Sequence, residues 1–221
     1  MKVMPITEED WSTPLKHAPG EYWEYGLGVD VAGLAIEAAT GMPLGEFCDR
    51  EIFQPLEMHD TTFRPLKVLA RTKGRWSIPA YRDPQTRGLV PGPQFLPLDP
   101  PMDYGGAGAY TTAWDYNKVL RELLLGGGKL LSKEMVDEMF RPQTNDQQRI
   151  ALQDYLAEGY TMSDPPEYQP GMRFDHGLAG IINLDDSIRK RKKGSLRWGG
   201  AVNSVWVSGF KIIHVLKIDQ S

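Results

Sequence analysis

Apolar positions in the first part of the chain recur at helical spacing. After Tyr25, the residues Val29, Ala32, Gly33, Ile36 and Ala39 or Thr40 fall near one face of a helix. Gly41 sits where a left-handed C-terminal cap belongs. Pro43 can open a second helix with Leu44, Phe47, Cys48 and Ile52 on one side. Residues 63–105 break this pattern with Pro, Gly and single aromatics (WSIPAYRDPQ, PGPQFLPLDPP), which predicts short strands and long loops. Thr112 and Asp115 make a capping-box-like start. The helix that follows turns Val119, Leu120, Leu123 and Leu124 inward until Gly126-Gly127-Gly128 ends it. Ser132 caps a shorter helix that stops before Pro142. From Arg173 onward the stretches FDHGLAGIINL, SLRWGG, NSVWVS and FKIIHVLKI read as sequential strands. Strands without helices between them pair antiparallel. Helices first and sheet last make an α+β chain. It is read as a single domain of residues 1–221, with a helical part at about 19–145 and a sheet part at about 173–218.

Composition narrows the function classes. The chain has 221 residues, 41% hydrophobic and 24% charged, enough to bury a core. A formal net charge of -4 gives no global basic field, so neither nucleic acid nor membrane is expected as a partner. The single cysteine, Cys48, excludes an internal disulfide framework and makes a reducing compartment the default. The start MKVMPITEEDW has no apolar signal core, and no apolar run is long enough to span a bilayer. A soluble, cytoplasmic protein is expected. No metal site or cofactor is expected either. His176 has no second histidine or carboxylate at ligand spacing and reads as structural. The Gly126–Gly128 run lacks the preceding strand and the following lysine-serine pair of a phosphate loop. The basic run Arg189–Lys193 reads as a solvated hairpin tip.

Three segments carry the chemistry: PGEYWEYGLGVDVAG at 19–33, YGGAGAYTTAWDYNKVLRELLLGGG at 104–128, and HGLAGIINL with KKGSLRWGG at 176–200. In this order, with EIFQPLEMHDTTF at 51–63, they resemble the serine β-lactamase-related family of class C-like enzymes, esterases and fungal transesterases. The transesterase-like branch is the nearest in the last of these segments. The resemblance implies a β-lactamase/transpeptidase-like fold and a three-part active site. A serine of an S-x-x-K motif attacks the acyl carbonyl and its lysine helps activate it. A tyrosine from a second motif shuttles the proton. A third motif on an edge strand closes the site. Carried over by position, Tyr25 matches the tyrosine, and Trp198-Gly199-Gly200 matches the third motif. The backbone N–H of Ala201 would be an oxyanion donor. Trp198 stands where penicillin-binding enzymes carry lysine, and Leu27 stands where many β-lactamases carry asparagine. Both changes favour neutral esters or thioesters over β-lactams.

The first motif has no acceptable match. Thr13-Pro14-Leu15-Lys16 has threonine for serine and lies too close to Tyr25. Ser187-Ile188-Arg189-Lys190 follows the tyrosine, and Ser187 and Lys190 are expected on the surface. The chain therefore reads as a fragment without the N-terminal part of the fold, inactive alone. It would come from an acyltransferase or carboxylesterase acting through an acyl-enzyme. The alternative is a non-catalytic binding remnant. A small-molecule ester or thioester is the expected partner, with an acyl carrier protein as a candidate donor. The Arg189–Lys193 turn is its candidate contact. If the resemblance holds, Tyr25 and the strand 196–200 share one cleft, with the phenol oxygen in a cavity beside Trp198. The tail after Trp206 departs from the family.

Overall fold

The computed structural model describes residues 14–94, 96–157, 171–187, 191–200, 204–209 and the backbone of 214–215. The chain forms two units, one of residues 1–14 with 26–112 and one of residues 15–25 with 113–221.

In the first unit, helix α1 (Gly28–Thr40) ends at Gly41, whose φ of 68° makes it the left-handed cap. The buried side of α1 is not the predicted apolar stripe. Of the predicted positions Gly33 is buried, but Val29 and Ala32 are exposed and the polar Asp30 is buried instead. Close approach and polar anchoring override the stripe. The Asp30 carboxylate accepts from the Gly106 N–H at 2.9 Å, and Glu37 accepts from the Leu44 N–H at 2.7 Å. A Cβ on Gly105 would stand 2.6 Å from the Val29 carbonyl oxygen, so the Tyr104–Ala107 turn touches α1 backbone to backbone. Helix α2 (Leu44–Cys48) runs on into a π-helical turn, Asp49–Phe53. Helix α3 (Pro65–Val68) follows. Leu44, Phe53, Leu56, Met58, Phe63 and Tyr104 are buried within this unit. Cys48 is half-buried, and burial pushes its thiol up to about 11, with the Asp103 charge adding to it. Strands β1 (Ala80–Arg82) and β2 (Leu89–Pro91) form an antiparallel hairpin, all six residues exposed.

In the second unit, helix α4 (Ala113–Leu124) turns Leu120 and Leu123 inward as predicted. Glu122 then accepts from the Lys129 and Leu130 N–H groups at 2.6 and 2.9 Å, so the glycine run is a stapled helix stop. Ser132 caps helix α5 (Lys133–Met139) by accepting from the Met135 N–H. Helix α6 (Asp146–Ala157) has no counterpart in the predicted elements. Its polar letters hide a short apolar stripe, Ala151, Leu152 and Leu156.

The C-terminal sheet is an antiparallel meander of five strands. These are β3 (Phe174–His176), β4 (Ile181–Asn183), β5 (Leu196–Gly200), β6 (Ser204–Ser208) and β7 (His214–Val215), in that spatial order. The stretch expected as one strand, FDHGLAGIINL, is two strands turning at Gly177–Gly180. A Cβ on Gly180 would meet the Arg197 carbonyl at 2.3 Å, so this turn sits directly on β5. Leu152 and Leu156 pack with Phe174 and Ile181 as the core between α6 and the sheet. No helix among the described residues is long and apolar enough to cross a membrane.

Candidate active site

The segment Leu15–Tyr25 belongs to the second unit and is pinned there by polar and aromatic contacts. The Gly20 carbonyl accepts from the Gln148 side chain at 2.8 Å and from Asn145 at 3.3 Å. Trp23 meets Tyr155 edge-on at 5.1 Å between ring centroids, and lies 5.9 Å from His176. Two residues on, Tyr25 stacks on Trp198 at 5.9 Å and an interplanar angle of 27°. Trp198 in turn meets His176 edge-on at 5.5 Å. The result is a chain of rings from α6 through β3 and β5 to Tyr25, with Trp198 half-buried against the Leu152–Phe174 core.

The sheet register shapes the backbone beside Trp198. On one side β5 pairs with β6 throughout, Trp198 opposite Trp206 and Gly200 opposite Ser204. On the other side β4 reaches only Leu196 and Arg197. Strand β5 is thus interior to the sheet, not an edge strand, yet its Trp198–Gly200 portion has a one-sided ladder. The local edge carries a tryptophan and two glycines, so an extended ligand could approach the backbone without meeting a side chain beyond Trp198. Ala201, the expected oxyanion donor, lies outside the described residues, as do Thr13 and Lys190.

His176 stands behind Trp198. Its Nδ1–H donates to the Gly177 carbonyl at 2.6 Å, and burial pushes its imidazolium below the ordinary range. A neutral ring therefore faces Trp198 at pH 7. Asp175, next to it, is fully buried. It accepts from the Thr144 hydroxyl at 2.8 Å, the Arg149 guanidinium at 2.7 Å and the His176 N–H at 2.7 Å. Burial alone would raise its carboxyl, but these donors outweigh it and hold the group below the usual carboxylate range. Sequence reading treated His176 as isolated, because its ring partners come from segments more than twenty residues away. Trp206, across from Trp198, lies 6.3 Å from Tyr116, whose phenol burial pushes up to about 12.

Three expectations are corrected. Ser187 is buried, 3% exposed, not at the surface. Within the run expected as a solvated tip Arg191 is buried, whereas Lys192 and Lys193 are exposed, Lys192 pairing with Asp186 at 2.7 Å; Arg189 and Lys190 lie outside the described residues. Tyr25 is 60% exposed on an open face, not set in a cavity. Shallow, open hollows lie along Gly126–Lys133 and beside Asp146 and Asp154. Among the described residues no group of His, Cys, Asp and Glu could hold a metal.

The sequence pattern of the Beta-lactamase family matches residues 7–208. The chain belongs to the beta-lactamase family. Among beta-lactamase relatives it is 32% identical over 207 residues to a lovastatin esterase of Penicillium rubens, covering 91% of this chain and 51% of that one. It is 32% identical over 201 residues to an ML-236A carboxylate methylbutanoyltransferase of Penicillium citrinum, covering 87% of this chain and 46% of that one. The solved simvastatin synthase of Aspergillus terreus superposes with a TM-score of 0.81 at 30% identity, over 90% of this chain and 50% of that one. The α+β, β-lactamase/transpeptidase-like fold with an antiparallel sheet and helices is thereby shown. The chain spans about half the length of the curated relatives it matches.

Proposed function

We propose that residues 1–221 are one partial domain carrying the tyrosine and third motif of a serine acyltransferase or carboxylesterase. The stacking of Tyr25 on Trp198 beside a one-sided strand supports this reading most. In the proposed reaction a serine of an S-x-x-K segment attacks an ester or thioester carbonyl. The tetrahedral oxyanion is held by backbone N–H groups at the end of β5, and the alcohol or thiol leaves. Tyr25 carries the proton between the serine, the leaving group and the incoming alcohol or water. Trp198 supplies a flat neutral wall instead of a cation, which suits an uncharged acyl chain. The names of the relatives, an esterase and a methylbutanoyltransferase, fit a short acyl group. The cytoplasm is the proposed compartment.

On this reading residues 1–221 hold no nucleophile and the chain alone has no turnover. The test is hydrolysis of a p-nitrophenyl butyrate solution, with a fluorophosphonate label read by mass spectrometry. The expected result is no turnover and no labelled serine. A labelled serine within residues 1–221 with robust turnover would overturn the reading. If the chain joined to a family segment bearing S-x-x-K also stays inert, the non-catalytic remnant replaces it.

A further inference from the structure

The turn that joins β3 to β4, His176-Gly177-Leu178-Ala179-Gly180, contains no acid, lysine or arginine. The Gly177 N–H closes it by donating to the Gly180 carbonyl at 2.8 Å. Backbone clamps it on two sides. A Cβ on Gly177 would stand 2.4 Å from the Met139 carbonyl oxygen at the end of α5. A Cβ on Gly180 would stand 2.3 Å from the Arg197 carbonyl oxygen of β5. The Leu178 N–H donates to the same Met139 carbonyl at 3.3 Å. Both glycines are buried, and a side chain at either would push the turn off its supports. The turn is therefore a fixed ledge between α5 and β5.

Trp198 touches this ledge at both ends. His176 meets its ring edge-on at 5.5 Å, and the Cβ position of Gly180 lies 3.4 Å from the Trp198 Cβ. Leu178 stands midway between these two residues, its Cα no more than about 8 Å from that of Gly180. It is nevertheless 55% exposed, and Ala179 beside it is half-buried. Exposed leucines taken singly are ordinary. This one differs by its place. The β4–β5 ladder stops at Ile181 opposite Arg197, so the turn leaves β5 where Trp198, Gly199 and Gly200 begin their one-sided ladder. A ligand lying along that free side of β5 has the ledge at one end of its path, and the open apolar side chain of the ledge is Leu178.

We propose that Leu178 is a specificity-determining residue: with Trp198 it forms an apolar corner that receives the tail of an uncharged acyl chain and favours chains longer than acetyl. The role of the corner rests on the acyl-transfer function proposed for Tyr25 and Trp198. The turn supplies no cation for a carboxylate, and the Gly177 and Leu178 N–H groups are already donated within the protein. The ledge thus offers apolar surface and not hydrogen bonds. Its backbone is clamped, so a ligand settling there does not have to order a loop. Chain length follows from the strand. The proposed oxyanion donors lie at the end of β5, and the rise from Trp198 to Gly200 is about 7 Å. An acetyl group cannot span that distance, whereas a chain of several carbons can.

The test uses the chain labelled with 5-fluorotryptophan and followed by fluorine NMR, the Trp198 signal being assigned by its loss in Trp198→Phe. Ethyl hexanoate is the probe. It should shift the Trp198 signal saturably, and Leu178→Ser should weaken the apparent affinity about fivefold. Leu178→Met should retain it, and Leu125→Ser, at a similarly open leucine elsewhere, should leave it unchanged. In the chain joined to a family segment bearing S-x-x-K, Leu178→Ser should lower kcat/KM for p-nitrophenyl hexanoate about fivefold relative to p-nitrophenyl acetate, mainly through KM. An inert joined parent would count against the acyl-transfer function, and the NMR titration would still decide whether Leu178 and Trp198 share an acyl chain. No shift of Trp198 by ethyl hexanoate, an equal loss from Leu125→Ser, or an unchanged hexanoate-to-acetate ratio in an active joined protein would overturn the proposal.

Discussion

Trp198 and Tyr81 are both aromatic residues on short antiparallel strands, but their surroundings differ in kind. Trp198 is gripped by Tyr25, His176 and the Leu152–Phe174 core, and its strand is braced by a five-stranded sheet. Tyr81 lies on a glycine in a two-stranded hairpin whose neighbours are arginines and solvent. The first region is shaped by packing, the second by local hydrogen bonds and charge. A packed site keeps reacting groups in fixed geometry, whereas an open hairpin leaves its side chains to solvent.

Stability measurements should separate the two regions most sharply. Leu152→Ala removes a fully buried side chain from the core against β3, and should cost about 3 kcal/mol in urea denaturation. Asp175→Ala should cost about 3 kcal/mol, because it removes the buried acceptor shared by the Thr144, His176 and Arg149 donors, although Arg149 keeps Asp146. Leu89→Ala, on the open hairpin, should stay within about 0.5 kcal/mol. Equal losses at Leu152 and Leu89 would erase the distinction.

Acid should act on the packed region first. The folded Asp175 carboxyl lies below its usual range, and an unfolded Asp titrates near ~3.9. Its contribution is therefore complete above that unfolded value and declines as pH falls through the lower folded value. The denaturation midpoint should drop below about pH 4, and Asp175→Asn should flatten that drop. A wild-type midpoint that does not change between pH 5 and pH 3 would remove Asp175 from the account.

These contrasts also mark what the sequence could tell. Gly41, Ser132 and the Gly126 run were legible because caps and stops depend on local backbone chemistry. The antiparallel pairing was legible from sequential strands without helices between them, and the nearness of Tyr25 to Trp198 from the order of the motifs. Helix α6 was not, because its apolar stripe is three residues in a polar run. The inner face of α1 was read correctly at Gly33 but misread at Val29 and Ala32, because Asp30 reaches the Tyr104–Ala107 turn in their place. His176 and Asp175 gain meaning only from partners distant in sequence.

Smaller effects probe the open surface. The exposed apolar side chains of the hairpin should bind a hydrophobic dye such as 1-anilinonaphthalene-8-sulfonate. Ile78→Ser with Leu89→Ser should reduce that fluorescence by about half while moving stability by less than about 1 kcal/mol. Unchanged dye fluorescence would place the exposed apolar surface elsewhere.

The central claim is that Tyr25 and the Trp198–Gly200 strand serve one acyl-transfer centre. The most direct measurement joins this chain to a family segment bearing S-x-x-K and compares Tyr25→Phe with the parent for p-nitrophenyl butyrate. Tyr25 is largely exposed, so the substitution should leave the melting temperature unchanged. The account predicts a fall in kcat of about 100-fold or more, with KM little altered. A Tyr25→Phe protein that keeps the parental kcat would contradict it and return Tyr25 to a packing role.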